Sequence, residues 1–89
     1  MATQYLQFTY TYGQTVTPKL FAIAGSTVLF TGSSVTNSPS DSGLYTSTFS
    51  EASAISGTYR CILFVGSIGV AGFEVVFTGT DGETVQAGS

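Results

Sequence analysis

The sequence predicts an all-β protein that folds as a single small antiparallel β-sandwich or barrel with six to seven strands. Short runs of alternating apolar and polar residues are separated by turns rich in Gly, Ser, Asn and Asp. Only 8% of the residues are charged, so the strong surface helix formers Lys, Glu and Arg are scarce. The chain has 89 residues, which is enough for one domain with one core. One sandwich or small barrel around that core is therefore the expected architecture.

The first strand is expected in residues 4–12. Its large apolar side chains alternate and share one face, namely those of Leu6, Phe8, Tyr10 and Tyr12. Two interpretations fit: an ordinary edge strand, or an N-terminal arm that pairs with a neighbouring subunit. Exposing such side chains costs roughly 1.5–3 kcal/mol each, so an arm requires a partner. These four residues are the predicted protein interface.

Two more strands are expected at 19–24 and 27–31, because Pro18 cannot donate to a ladder and marks a strand start or an edge. The polar stretch 32–42 follows and is expected to be an exposed loop. Most such loops only connect strands, but loops also carry binding residues. The candidate recognition residues are those at its centre, namely Ser34, Val35, Thr36, Asn37 and Ser38.

The stretch 43–79 contains the clearest strands, expected at 44–49, 58–65 and 70–78, with the last two forming a hairpin. Apolar residues occupy both faces of 58–65, which is typical of a central strand. A short final strand is expected at 84–85. The predicted organisation is thus an N-terminal strand or arm at 1–13, a β-sandwich at 14–80, and a C-terminal turn and tail at 81–89.

No catalytic, cofactor-binding or metal-binding pattern is present. The chain has no His and one Cys, so it offers neither a nucleophile–imidazole pair nor a zinc cage. Cys61 lies among apolar neighbours in a strand and is expected to be buried and inert. Asp81 and Glu83 could form at most one weak Ca²⁺ site. We therefore expect a protein that is not an enzyme and has no cofactor.

The charge balance limits the classes of partner that we expect. The formal net charge is −3, and Lys19 and Arg60 are the two basic residues. Two cations do not make a phosphate-binding patch, so neither nucleic acid nor an anionic membrane surface is an expected partner. No apolar run is long enough for a membrane span, and no signal peptide is recognisable. A virion protein made in the host cytoplasm fits this composition, and a secreted domain cut from a longer precursor is the alternative.

The pattern of residues 43–79 resembles that of a known class of modules. The run Gly43-Leu44-Tyr45-Thr46-Ser47-Thr48-Phe49, then Glu51-Ala52, then Gly57-Thr58-Tyr59 and a hairpin, is similar to small immunoglobulin-like β-sandwich modules of tailed-bacteriophage virion proteins. Such modules occur in tail fibres, baseplates and capsid decorations. The resemblance covers about residues 27–80 and implies an immunoglobulin-like fold without catalytic residues.

The expected function is that of a capsid decoration, or cement, protein that bridges neighbouring capsid subunits. Its partners would be the major capsid protein or other virion subunits, and a homo-oligomer, either dimer or trimer, is expected. The alternative is a tail or fibre module that binds a host-surface glycan through the 32–42 loop. A third interpretation is a generic extracellular adhesion or fibre-forming domain.

Overall fold

The computed structural model describes residues 1–11, 13–36 and 43–87, which form an all-β structure of two packed sheets. The β-sandwich prediction is confirmed, with eight strands instead of six or seven. The strands are β1 (Ala2–Thr9), β2 (Thr15–Phe21), β3 (Val28–Thr31), β4 (Val35–Thr36), β5 (Leu44–Glu51), β6 (Ser56–Val65), β7 (Ile68–Thr78) and β8 (Thr84–Gln86). Within these described ranges, no helix is long and apolar enough to cross a membrane.

The three-stranded sheet has the order β5-β1-β8, so β1 lies in its middle. β1 pairs antiparallel with β5 along its whole length and parallel with β8 from Tyr5 to Gln7. The interpretation of residues 4–12 as an edge strand is therefore wrong, because both sides of β1 are paired. β1 and β8, which lie in the expected segments 1–13 and 81–89, are both strands of the sandwich.

The larger sheet has the order β3-β2-β6-β7, with β4 also paired to β2. β3 and β4 pair with the same edge of β2, one after the other. Between their pairing sites, Gly32 N donates to Pro18 O. β4 is the strand that the sequence pattern missed. It has only two residues and lies inside the expected loop, so its alternation is too short to detect.

Pro18 lies inside β2 rather than before it, so the strand start expected at residue 19 is wrong. In an antiparallel strand, the nitrogen and the carbonyl of one residue face the same neighbour. Pro18 O accepts from Gly32 N, so the position of the missing N–H faces the break between β3 and β4. No ladder bond is lost there, which explains why a proline is tolerated in this paired strand.

The core lies between the sheets and takes its side chains from both. The alternation predicted for 58–65 and 70–78 is confirmed, with Cys61 and Leu63 of β6 and Val75 and Phe77 of β7 buried. The Phe49 and Phe77 rings meet edge to face at 5.8 Å. The fully or nearly buried cluster comprises Leu6, Phe8, Val16, Leu20, Tyr45, Phe49, Ile55, Cys61, Leu63, Val75 and Phe77.

Hydrogen bonds join the two sheets at both sides of the sandwich. On one side, Ser33 N donates to Thr48 O at 2.9 Å, and Ser47 Oγ donates to Ser33 O at 2.6 Å. On the other side, Glu83 accepts from Gln4 Nε2 at 2.5 Å and from Thr78 Oγ1 at 2.7 Å. These contacts fix the orientation of the sheets and leave their outer faces as the broad exposed surfaces.

Candidate interaction surface

The four residues predicted as an interface do not form an exposed surface. Leu6 and Phe8 are buried in the core, and the Phe8 ring stacks on Tyr45 with centroids 5.2 Å apart. Tyr10 is half-buried and packs against the same core, while Tyr12 lies outside the described residues. In this conformation, Leu6 and Phe8 are available to another subunit only if β1 leaves its own sheet. The predicted contact would therefore require a strand exchange between subunits.

The predicted recognition loop is partly described. Ser34 and Thr36 share side-chain hydrogen bonds with Thr17 at 2.6 Å and Thr15 at 2.7 Å. Val35 packs against the core, and Asn37 and Ser38 lie outside the described residues. The first half of the expected loop is thus attached to β2 as β4. Its role in recognition stays a prediction.

The outer face of the five-stranded sheet brings together both basic side chains of the chain. We call this surface the basic face. Pairing places Lys19 opposite Ile62, Phe21 opposite Arg60, and Arg60 opposite Glu74. No local sequence pattern reveals this surface, because Lys19 and Arg60 become neighbours only through the pairing of β2 with β6. The members of the basic face are Thr17, Lys19, Phe21, Arg60, Ile62, Phe64, Glu74 and Val76.

Cations and aromatic rings alternate across the basic face. Lys19 Nζ lies 4.7 Å from the Phe64 ring centroid, and the Arg60 guanidinium lies 5.4 Å from that of Phe21. The Phe21 and Phe64 rings themselves stack at 6.4 Å. A cation–π contact at an exposed site contributes about 0.5–1 kcal/mol. Both charges therefore lie above apolar surface.

Arg60 also borders an open hollow of about 420 Å³ on this face. Its Nη2 donates to Gly25 O at 2.6 Å, whereas its buried Nε has no hydrogen-bond partner among the described residues. Near the hollow, Ile23 is 46% exposed and Val76 is 57% exposed. The hollow is lined by Ile23, Arg60, Ile62, Gly72, Phe73 and Glu74. Fixed charge and exposed apolar area thus adjoin on one face.

The outer face of the three-stranded sheet has the opposite character. Its outward positions alternate with the buried ones of β1 and β5, and no charged side chain occurs at those positions among the described residues. Gln86 Nε2 donates to Gln7 Oε1 at 2.6 Å across this surface. We call it the neutral face; it consists of Thr3, Tyr5, Gln7, Thr9, Leu44, Thr46, Thr48, Ser50, Thr84 and Gln86.

A second hollow of about 420 Å³ lies beside the bend between β5 and β6. Phe30 and Tyr59 line it with their rings edge to face at 5.7 Å, and Glu51 contributes a carboxylate. Tyr59 Oη donates to Ser56 O at 2.8 Å, which fixes the tyrosine ring. The remaining lining comes from residues 52–56.

The reactive groups of the described residues have structural roles. Cys61 is fully buried, and burial raises the pKa of its thiol to about 12, so the expected buried thiol is confirmed. Asp81 Oδ1 accepts from Thr3 N at 2.7 Å, and Glu83 accepts from Thr78 and Thr80 backbone N–H groups. Within the described ranges, no group of three or more His, Cys, Asp and Glu side chains is placed to hold a metal.

Among the described residues, the Glu83 carboxylate accepts the most hydrogen bonds. Burial by itself raises the pKa of Glu83, but hydrogen bonds donated by Thr78, Gln4 and Thr80 outweigh this effect. The net result is a pKa below the ordinary value. Gln4, which is 1% exposed, completes the network by bonding both the N–H and the carbonyl of Ile55, at 2.7 and 2.9 Å.

Comparison with known proteins adds no relative. No protein-family model, curated protein or solved structure matches this chain.

Proposed function

We propose that this chain is a non-enzymatic structural protein of a bacteriophage virion, namely a capsid decoration or cement protein that bridges neighbouring capsid subunits. The observation that carries the proposal is the basic face. Exposed apolar area rimmed by polar groups is typical of protein contact surfaces. Here Ile23 and Val76 supply exposed apolar area, and Lys19, Arg60 and Glu74 supply the charged rim.

The charge arrangement favours a protein partner over a polyanion. Lys19 and Arg60 lie on the rings of Phe64 and Phe21, and Arg60 faces Glu74 across the strand pair. A phosphate backbone is bound by many cations spread along a surface, and each contributes through counterion release. Two ring-bound cations beside a carboxylate instead suit a mixed surface of polar and apolar groups, as another folded subunit presents.

A bridging role needs two contact surfaces on one small domain. The sandwich provides them because the basic face and the neutral face belong to different sheets and point away from the shared core. One subunit contacting each face would be joined to its neighbour through the rigid core of this domain. The assignment of those subunits to a phage capsid follows from the resemblance of residues 27–80 to virion modules.

The experiment is an add-back binding assay. Particles purified from a strain that lacks the gene are mixed with the purified chain and sedimented, and the bound chain is quantified. We expect saturable co-sedimentation of the wild type and reduced binding of Ile23→Asp, which places a charge in the exposed apolar area beside the hollow of the basic face. The matched control is Ile68→Asp at the tip of the β6–β7 hairpin, where the side chain is 67% exposed.

Circular dichroism of both variants shows whether they keep the fold. A wild-type chain that remains in the supernatant would contradict the capsid role. Equal binding of the Ile23 and Ile68 variants would show that the basic face does not contact the particle.

The hollow beside Phe30 and Tyr59 favours a second candidate, a tail or fibre module that binds a host-surface glycan. Aromatic rings contact the apolar faces of sugars, while a carboxylate and hydroxyls accept and donate hydrogen bonds at their edges. The hollow offers these groups through Tyr59, Glu51 and Ser53. A glycan array with the wild type and Tyr59→Ala tests this candidate. Absence of any hit for the wild type would exclude glycan binding. Hits that survive Tyr59→Ala would exclude this hollow as the glycan-binding site.

A further inference from the structure

The outer edge of β7 presents unpaired backbone groups. Thr78 N donates to the Glu83 carboxylate and therefore points away from β6. Because alternate residues of a strand face the same neighbour, the backbone groups of Gly72, Glu74 and Val76 also point outward. Nothing in the described part of the chain pairs with them. Glu83 satisfies only the last donor of this edge.

The other described strand edges are shortened, interrupted or capped. β8 has only three residues, and the β3–β4 edge is broken between residues 31 and 35. The outer edge of β5 is bonded by Ser33, whose N–H donates to Thr48 O and whose Oγ accepts from Thr48 N. Open edges are templates for association, and proteins block those that they do not use. β7 therefore stands apart from the other edges.

β7 lacks most of the features that protect an edge. It has eleven residues and one charged side chain, Glu74, and Val76 beside it is 57% exposed. The one irregularity is a bulge at Val70, since Leu63 pairs with Ala71 and Phe64 pairs with Gly69. A bulge bends the edge locally and ends regular pairing. The regular open segment is therefore residues 72–78.

We propose that a second copy of this chain pairs with that segment, antiparallel and centred on Val75. In this register, Glu74 of each copy exchanges its backbone hydrogen bonds with Val76 of the other. The outward-facing donors and acceptors of one copy thereby meet those of the other. The five-stranded sheets become one continuous sheet with both basic faces on the same side.

Charge selects this register and favours a second copy of the chain as the strand that pairs with this edge. Centring the pair on Glu74 would place two carboxylates directly opposite each other, which is destabilising. Centring it on Val76 would leave only the Val76–Val76 pair with free groups on both copies, because Glu74 would then face Thr78, whose N–H bonds Glu83. With Val75 at the centre, both Glu74–Val76 pairs use free backbone groups, and the occupied Thr78 N–H affects only the terminal Gly72–Thr78 pairs. No two carboxylates then lie directly opposite each other. The segment is therefore complementary to itself in a closed two-fold arrangement.

The test is size-exclusion chromatography with light scattering on the purified chain over a range of concentrations. The wild type is expected to form a dimer. Val76→Pro removes an outward-facing N–H and leaves the pairing with β6 intact, so the dimer dissociation constant should rise roughly tenfold or more. Val76→Lys serves as a second edge-blocking variant if the proline perturbs folding. Ile68→Lys is the control, because it lies beyond the bulge and should dimerise as the wild type does.

A wild type that stays monomeric at all concentrations, or folded Val76 variants that dimerise unchanged, would overturn the proposal. Hydrogen exchange gives an independent readout, with protection of the Glu74 and Val76 amides rising with protein concentration. Because these measurements use the chain alone, their failure leaves the particle-binding test of the proposed function unaffected. Conversely, failure of particle binding does not affect the dimer.

Discussion

At the scale of single residues, Gly32 shows how closely the two sheets approach. A Cβ atom at this position would lie 2.6 Å from Ser47 Oγ and 2.8 Å from Phe49 Cζ. Both neighbours are buried, so neither can move aside without disturbing the core. Gly32 therefore has a steric role at the corner where β3, β4 and β5 meet.

We expect Gly32→Ala to lower the free energy of unfolding by about 1–3 kcal/mol, as overpacked core sites do. The control is Gly72→Ala, whose added Cβ would lie 3.7 Å from its nearest neighbour, Cys61 O, an ordinary contact distance. Urea denaturation of the two variants measures the difference. Equal unfolding free energies would contradict the close approach at Gly32.

Glu83 predicts a pH dependence of stability. Its pKa is lower in the folded than in the unfolded protein, so the unfolded state binds more protons as the solution is acidified. The contribution of Glu83 to stability is full above the unfolded-state pKa and is lost as the pH falls through the folded-state pKa. Glu83→Gln should reduce stability at neutral pH and flatten its decline on acidification.

Denaturant unfolding at neutral and acidic pH measures this effect. Glu74→Gln is the matched control, because no hydrogen bond to the Glu74 carboxylate occurs in the described structure and its side chain is exposed. If the two variants show the same pH dependence, the Glu83 network does not stabilise the fold as argued.

At the scale of elements, β1 is the strand whose role differs most from expectation. Alternation correctly places Leu6 and Phe8 on one face, because the period of a strand is a local property. It does not reveal the partners of the strand. β8, which pairs with β1 in parallel, has three residues and lies at the opposite end of the sequence. Its short pattern carried no signal that would have identified this pairing.

Deletion of residues 1–12 should therefore abolish cooperative folding instead of releasing an arm. The truncation removes the middle strand of one sheet, the buried core side chains of Leu6 and Phe8, and the buried amide of Gln4. Far-UV circular dichroism with thermal melting measures this outcome. A truncated chain that melts cooperatively at the wild-type temperature would show that β1 is dispensable.

Gln4 connects β1 to the β5–β6 bend and to the turn before β8. Gln4→Leu keeps a similar volume but leaves the N–H and carbonyl of Ile55 without partners in a buried site. Leaving buried polar groups unpaired costs about 1–3 kcal/mol, so the variant should be destabilised by that order. Urea denaturation checks it, with Gln7→Leu on the exposed side of the same strand as the control. Equal stability of both variants would show that the hydrogen bonds between Gln4 and Ile55 do not stabilise the fold.

At the scale of the whole molecule, the sequence was sufficient for the fold class but not for its surfaces. Composition and alternation identify an all-β sandwich, since strand period and turn residues are encoded locally. The basic face depends on the pairing of β2 with β6, and the open edge of β7 depends on which strands end the sheet. Both are properties of topology, which a local pattern does not contain.

The proposed capsid role is tested most directly by quantitative mass spectrometry of purified, salt-washed virions of a phage whose genome carries this coding sequence. A decoration protein that bridges capsid subunits should be present at a fixed ratio to the major capsid protein. Virions without the chain, or with only a few copies per particle, would contradict the capsid role.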